Sequence, residues 1–378
     1  MKTITIFGPS KRFLSGVSYY TIRLSNALSE LFHVNTILFR NMLPKRLFPG
    51  WKRVGKNLTN LDFDKNVRVY ELLDWYNPLT WIKAYRIAEK SNAIILQWWT
   101  SSVSHMYLFV ESMNKISEKI PVIIEFHEVV DPLENSILPI KVYSRIMGRL
   151  VRRFASHYVV HSKADLELIS KTYSIPEENI TVIPHGIYDH YPKLKKEDAR
   201  KALGIEDEFV ILFFGLLRPY KGVKYLIKAF ESLPEEILKR SKLLIVGETW
   251  EDRESVTLAK NSKHSERILL VNRYVADDEL PLYFSAADVV VLPYTRASQS
   301  GVAHIAMTFG LPIVATKVGG LLESLGAYSG TIFVEPCDSD SIKSALIRVF
   351  NHHEQHSPPD DYRWEKIALK WSDLLNSL

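Results

Sequence analysis

Two cations three positions apart, Arg218 and Lys221, follow a continuous apolar run, 209–214, and the Gly215 that ends it. A guanidinium can fork onto two phosphate oxygens, and a lysine beside it acts as a point charge. Held at a strand end, such a pair can stabilise the negative charge developing on a departing diphosphate without a metal ion. The ordinary alternative is a solvent-facing Arg and Lys at a helix start. Cations there oppose the helix dipole unless an anion sits at the same N-terminus. A second stretch has matching chemistry. The apolar run ADVVVL, 287–292, stops at Pro293, and a loop of small polar residues carries Gln299, Ser300 and Gly301. Residues 302–309 then read as a helix, 312–315 as a short buried strand, and Gly319-Gly320 as another loop. Free backbone N–H groups at a helix start make an anion site, and Gly301 lets the backbone come close to a ligand.

These residues need a scaffold that presents loops at neighbouring strand ends. The chain reads as strands alternating with helices, which implies parallel sheets covered on both faces. In the first half, 2–8 is a strand and 14–31 a helix with apolar Val17, Ile22, Leu24 and Leu28. Further strands are expected at 35–39, 93–97, 121–126 and 156–160. Ligands of such sheets bind at the carboxyl ends of the strands. Gln97, Trp98, His127 and Glu128 fall at such ends, with Asp131 close by. Gly16 stands at the first helix start, but the loop is no GxGxxG fingerprint, which removes the main support for a dinucleotide reading. In the second half the strands are 209–214, 242–248, ending at Glu248, and 267–275, carrying Tyr274 and Val275. The closing segment 360–378 has helical spacing of Trp364, Ile367, Ala368, Trp371 and Leu374/Leu375.

The 378 residues suit two domains, and 46% hydrophobic residues allow full cores. Net charge is +5 and uneven: residues 1–185 hold 24 Lys and Arg against 16 Asp and Glu, whereas 186–378 hold 24 against 27. A basic first half suits an acidic partner such as a membrane surface or a phosphorylated acceptor; a merely basic soluble domain fits equally. The irregular, basic and aromatic stretch 40–65 and the helix 139–154, with Arg145, Arg149, Arg152 and Arg153 along one side, are the places for such contact, or for plain solvation. Nucleic-acid binding would rest on charge alone and is not expected. Cys337 is the single cysteine, so neither a disulfide framework nor a cysteine-rich metal site is expected. The start, MKTITIFG, is too short in its apolar run for a signal peptide, and no stretch has the roughly 20 apolar residues of a membrane span. The expected location is the cytoplasm, including the cytoplasmic face of the membrane.

The stretch 293–323, with S-Q-S-G before the helix, G-L-P-I-V-A after it and V-G-G-L-x-E beyond, resembles the donor-binding segment of retaining glycosyltransferases of family 4. The block FFGLLRPYKGVKYLIKAF, 213–230, is similar to that family's strand, loop and helix with a basic pair. The resemblance implies the GT-B fold: two Rossmann-like α/β domains, 1–190 on the acceptor side and 191–358 binding the donor, a central cleft, and a last helix, 359–378, crossing back to the first domain. It implies transfer of a sugar, with retained configuration, from a nucleoside-diphosphate sugar to a hydroxyl acceptor, either a lipid-linked or a polysaccharide glycan. Arg218, Lys221 and His127 would take the catalytic places. Gly16, Gly215, Glu248, Tyr274, Val275, Gln299, Ser300, Gly301, Val302 and Glu323 would take donor-binding ones. No cofactor or metal is expected. Asp62-Phe63-Asp64 and Asp338-Ser339-Asp340 have the Asp-x-Asp spacing of metal-using transferases but lie outside the phosphate blocks, and the second reads as a helix cap. One departure stands out: the Glu-x7-Glu pair common in the family falls on Ala297 and Ile305. A non-catalytic sugar-nucleotide binder and a sugar-nucleotide epimerase are the rival readings.

Overall fold

A computed structural model describes residues 1–13, 16–42, 59, 61–117, 120–129, 138–297, 300–352 and 354–378. Most of the basic stretch 40–65, together with Asp131 and Gln299, lies outside the described residues. The chain divides into two units, Met1–Gly186 with Asp361–Leu378, and Ile187–Asp360. The division therefore falls a few residues before the 190/191 that the resemblance implies, and the closing segment belongs to the first unit.

The first unit is built on seven strands: β1 (Thr3–Pro9), β2 (His33–Asn41), β3 (Arg68–Asp74), β4 (Ala93–Trp98), β5 (Val122–Phe126), β6 (His157–Val160) and β7 (Ile180–Val182). Their order across the sheet is β3-β2-β1-β4-β5-β6-β7, all parallel. The order reverses between β1 and β4, the kind of switch point at which such sheets bind ligands. Alternation along the strands loads both faces. Phe7, Leu96, Ile124 and Phe126 point to one core. Ile4, Ile6, Ile95, Ile123 and Val159 point to the other, where they meet Tyr20, Leu24 and Leu28 of the helix Gly16–Ser29. Trp364, Ile367 and Trp371 of the helix Trp364–Ser377 complete that second core, which is why its apolar spacing was visible in the sequence. The seat is fitted: a Cβ on Gly186 would run into the Trp364 indole.

Three elements of this unit escape the apolar-run reading. β3 (RVYELLD) lies at the sheet edge with only Leu73 buried, so it has no continuous apolar signature. The helix Pro78–Ala88 is announced instead by its cap: Asn77 accepts from the Leu79 N–H and Pro78 takes the first position. The helix Ser104–Ser117 follows a short turn at Ser101–Val103.

The second unit carries six parallel strands: β8 (Phe209–Phe214), β9 (Ser241–Val246), β10 (Ile268–Val271), β11 (Val289–Leu292), β12 (Ile313–Thr316) and β13 (Thr331–Val334). Their order is β10-β9-β8-β11-β12-β13, with the reversal between β8 and β11. β8 and β11 are buried along almost their whole length, as central parallel strands must be. The strand expected at 267–275 is shorter than its apolar pattern. It stops at Val271 because the Asn272 side chain turns aside to accept from the N–H and hydroxyl of Thr249. Asp338 caps the helix Ser339–Asn351 by accepting from the N–H groups of Asp340 and Ser341, as its sequence position suggested.

Candidate functional site: a cationic strand-end cradle

The loops after β8, β9, β11 and β12 lie at one end of the second sheet, and backbone hydrogen bonds knit them together. Leu217 donates to Glu248 O and receives Trp250 N–H, tying the loop after β8 to the loop after β9. Thr295 N–H reaches Tyr220 O, and Gly320 N–H reaches Ala297 O. Gly222 is the pivot. It sits in the left-handed region at φ +65°, and a Cβ there would overlap the Pro293 carbonyl oxygen, so only glycine fits. The tight turn Pro219–Lys221 ends on Gly222, which also starts the helix Val223–Glu231.

Arg218 and Lys221 therefore stand at either end of one rigid turn. The Arg218 guanidinium lies 4.9 Å from the Trp250 ring centre, and Lys221 Nζ lies 3.7 Å from that of Tyr294. Contacts of this kind are worth about 0.5–1 kcal/mol each at half-exposed positions. They hold the cations in place while leaving their charge uncompensated. The Nε of Arg218 is buried without a hydrogen-bond partner among the described residues. Arg296, with its guanidinium 5.4 Å from the Tyr220 ring centre, adds a third cation to the same loops.

Ser300 and Gly301 open the nine-residue helix Gly301–Phe309, and the Ser300 side chain does not cap it. The Ser300 hydroxyl lies 3.2 Å from that of Tyr294, the residue that underlies Lys221. A Cβ on Gly215 would be 3.7 Å from Val302, so the loop after β8 and this helix start adjoin. Gly215, Arg218, Lys221, Ser300, Gly301 and Val302 are thus brought together. Glu323, in the helix Leu321–Gly326, follows Gly320 and its bond to Ala297. The Glu248 carboxylate accepts from Trp250 Nε1 at 2.9 Å and so steadies the indole under Arg218. Tyr274 and Val275 follow the edge strand β10; Tyr274 neighbours Tyr191, which stacks on Tyr188, the residue whose hydroxyl adjoins Gly301. Ile305, at the place of the second glutamate of the family pair, is buried at 7% exposure. Trp250, Tyr294 and Tyr220, which cradle the cations, were not singled out in the sequence. Tyr220 and Tyr294 each directly follow a proline, which was the available signal; Trp250 carried none.

In the first unit, Gly16 opens the helix after β1. His127 follows β5, and its N–H bonds to Trp98 O at 2.8 Å. Its ring does not open to solvent: the side chain is 6% exposed and packs 4.7 Å from Tyr20 and 5.0 Å from His161, centre to centre. Burial holds the His127 imidazole well below its ordinary pKa, with the neighbouring His161 adding to the effect. Burial likewise lowers His161, and it pushes the Glu125 carboxyl up to about 8 despite the opposing effect of the Tyr20 hydroxyl and the Gln97 amide. Glu125 and His161 form part of this cluster although the sequence reading passed over both. The signal was a carboxylate inside the otherwise apolar strand VIIEF. Of the Asp-x-Asp pairs, Asp338 is the cap above, and Asp62 pairs with Lys11 at 2.9 Å.

The two sheets, each with its switch point, and the helices alternating with them define the GT-B fold. HepE of Anabaena, solved in complex with UDP and glucose, shares it at a TM-score of 0.68 over 100% of both chains with 17% identity. The family pattern described as glycosyl transferases group 1 matches residues 195–366, and that described as glycosyltransferase family 4 matches residues 14–190. This chain belongs to the family 4 glycosyltransferases. Among curated relatives, an uncharacterized glycosyltransferase of Methanocaldococcus jannaschii is 30% identical over 55% of this chain and 56% of its own length. A lipopolysaccharide 1,2-N-acetylglucosaminetransferase of Salmonella typhimurium is 24% identical over 54% and 58%. The chain spans about half the length of the curated relatives it matches.

Proposed function

We propose that this chain transfers a sugar from a nucleoside-diphosphate sugar to a hydroxyl of a glycan or lipid-linked acceptor, with the anomeric configuration retained. The observation that carries the reading is the pairing of Arg218 and Lys221 on one fixed turn, beside the start of the Gly301–Phe309 helix, which Ser300 leaves without a side-chain cap. The bond from the anomeric carbon to the β-phosphate oxygen breaks, and a bond to the acceptor oxygen forms on the same face. The acceptor proton passes to the released diphosphate. Arg218 forks onto the diphosphate, Lys221 adds a point charge, and the backbone N–H groups at Gly301 and Val302 bind the remaining oxygens. These charges replace the divalent ion that other transferases place at the diphosphate, so transfer proceeds without one. The HepE complex with UDP and glucose supports a uridine donor as the first to try. For Gly16 and His127 in the first unit we keep the roles that the family resemblance implies, His127 through its backbone because its side chain is buried.

The acceptor reading has its own support. In the helix Leu138–Phe154, Ser144, Gly148 and Val151 face inward, while Leu138, Val142 and Ile146 are exposed next to Arg145, Arg149 and Arg153. That composition suits an anionic membrane surface, where a cytoplasmic enzyme would meet a lipid-linked acceptor. No helix among the described residues is long and apolar enough to cross a membrane. The test is calorimetry and thermal shift with UDP, GDP, ADP, CMP and dTDP and their sugars, with and without divalent ions, followed by transfer assays on lipid-linked glycans. Stabilisation by one nucleotide, lost in Arg218→Ala, together with transfer in chelator, is the expected result. Binding without transfer or hydrolysis would leave a sugar-nucleotide-binding protein instead.

A further inference from the structure

The first unit holds a second constellation, built by strand register. Gln97, Glu125 and Val159 are paired across β4, β5 and β6. His127 and His161 each lie two positions beyond the paired residues Glu125 and Val159. The period of two puts both imidazoles on the face of Glu125, side by side at the strand ends. One ligand atom from each of Glu125, His127 and His161 lies within 4.8 Å of the other two, and His127 Nε2 stands 3.9 Å from Glu125 Oε2. Glu125 Oε1, His127 Nε2 and His161 Nε2 are buried, and none has a hydrogen-bond partner among the described residues. Glu125 is 0% exposed, so its free oxygen has no water to fall back on.

The surroundings prepare these groups as ligands. His161 Nδ1 donates to Ile183 O at 3.0 Å, which fixes the tautomer and leaves a lone pair on Nε2 directed at the cluster. Glu125 Oε2 receives the Gln97 amide at 3.3 Å, which orients the carboxylate. Tyr20 closes the side with its ring, 5.2 Å from that of His161. A buried water donates only two hydrogen bonds, whereas one cation can take up every lone pair in the set.

We propose that Glu125, His127 and His161 bind a divalent transition-metal ion of the zinc class, as a structural site of the first unit. Two imidazoles and one carboxylate suit zinc, which takes nitrogen and oxygen ligands at about 2.0–2.2 Å. Tetrahedral ligands at that distance stand roughly 3.4 Å apart, so side-chain rotations of about an ångström close the set. The ion would clamp the ends of β5 and β6 against the helix that carries Tyr20. It takes no part in the diphosphate chemistry, whose cations lie in the second unit, and the proposal does not depend on the transfer reaction.

The test uses the full chain without an affinity tag, stripped with chelator and titrated with Co(II) as an optical stand-in for Zn(II). The expected result is one equivalent bound with the visible absorption of low-coordinate Co(II), quenched by Zn(II), and a melting temperature several degrees higher. Two variants separate this site from surface binding. Glu125→Gln keeps the volume and the Gln97 contact; His161→Asn keeps a donor for Ile183 O and removes Nε2. Each is expected to weaken Co(II) by more than the roughly 100-fold that loss of an outer-shell partner brings. Should His161→Asn fail to fold, Glu125→Gln alone decides. Folded protein with no Co(II) absorption, or with absorption equal in wild type and Glu125→Gln, overturns the proposal.

Discussion

The hydroxyl of Tyr188 stands over the backbone of Gly301, so close that a Cβ built there would lie 3.1 Å from it. Tyr188 is 6% exposed and stacks on Tyr191 at 6.3 Å, and Tyr191 donates to Asp277 at 3.2 Å. The phenol cannot readily yield, so even a methyl group at residue 301 must displace the helix start. Gly301→Ala is expected to weaken binding of the preferred nucleoside diphosphate about 10-fold, roughly 1.4 kcal/mol. Tyr188→Phe in the same chain should restore part of the loss. A double-mutant cycle by calorimetry checks it, since two independent effects would simply add.

Removing either cation should cost turnover more than folding. Arg218→Ala and Lys221→Ala are each expected to lower kcat about 10²–10³-fold, while the melting temperature of the free protein stays near the wild type. Arg218→Lys should recover only part of the activity, because an ammonium cannot fork onto two oxygens or lie flat over the Trp250 indole. Steady-state kinetics beside thermal melts separates these outcomes. Equal losses in stability and activity would mean the pair is structural.

Glu111 supplies a pH dependence of stability. It is 1% exposed in the helix Ser104–Ser117, and neither carboxylate oxygen has a hydrogen-bond partner among the described residues. Burial raises its pKa well above the ordinary 4.5. The folded chain thus holds this proton more tightly than the unfolded chain. The stability it contributes is full below the ordinary value and is lost as pH rises toward the folded one. Glu111→Gln, which stays neutral, should be more stable than wild type near pH 8 by about 1–3 kcal/mol, with the gain vanishing near pH 4. Urea melts at several pH values would show the two curves converging in acid.

Trp371 is fully buried among residues of the helix Gly16–Ser29 and the first sheet. Trp371→Ala is expected to cost about 3–5 kcal/mol, as large-to-small changes of buried aromatics do. Chemical denaturation followed by fluorescence of the remaining tryptophans would report it. A loss under about 1 kcal/mol would mean the closing helix is loosely seated.

Much of this was legible in the sequence, and the reason is local. β8, β11 and β12 are continuous apolar runs, and Gly215 and Gly222 bracket Arg218 and Lys221 within eight residues, so loop and charge could be read together. What stayed hidden depends on neighbours far along the chain. Trp250 comes under Arg218 only because Leu217 pairs with Thr249, and Tyr294 meets Lys221 only because β11 lies beside β8. His161 joins His127 through the β5–β6 register, which no spacing within either strand reveals. β3 was missed because an edge strand needs no apolar run.

The helix Trp364–Ser377 packs into a core whose other members are all placed by residue 183. Between them in the chain stands the whole of the second unit, Ile187–Asp360. During synthesis the first unit is therefore made early yet lacks Trp364 and Trp371 until everything after it has emerged. The apolar groove over Tyr20, Leu24 and Leu28 stays open to water or to chaperones for that interval. The domain translated second can finish folding first, and a nascent chain halted before residue 364 should carry a folded second unit beside an incomplete first one.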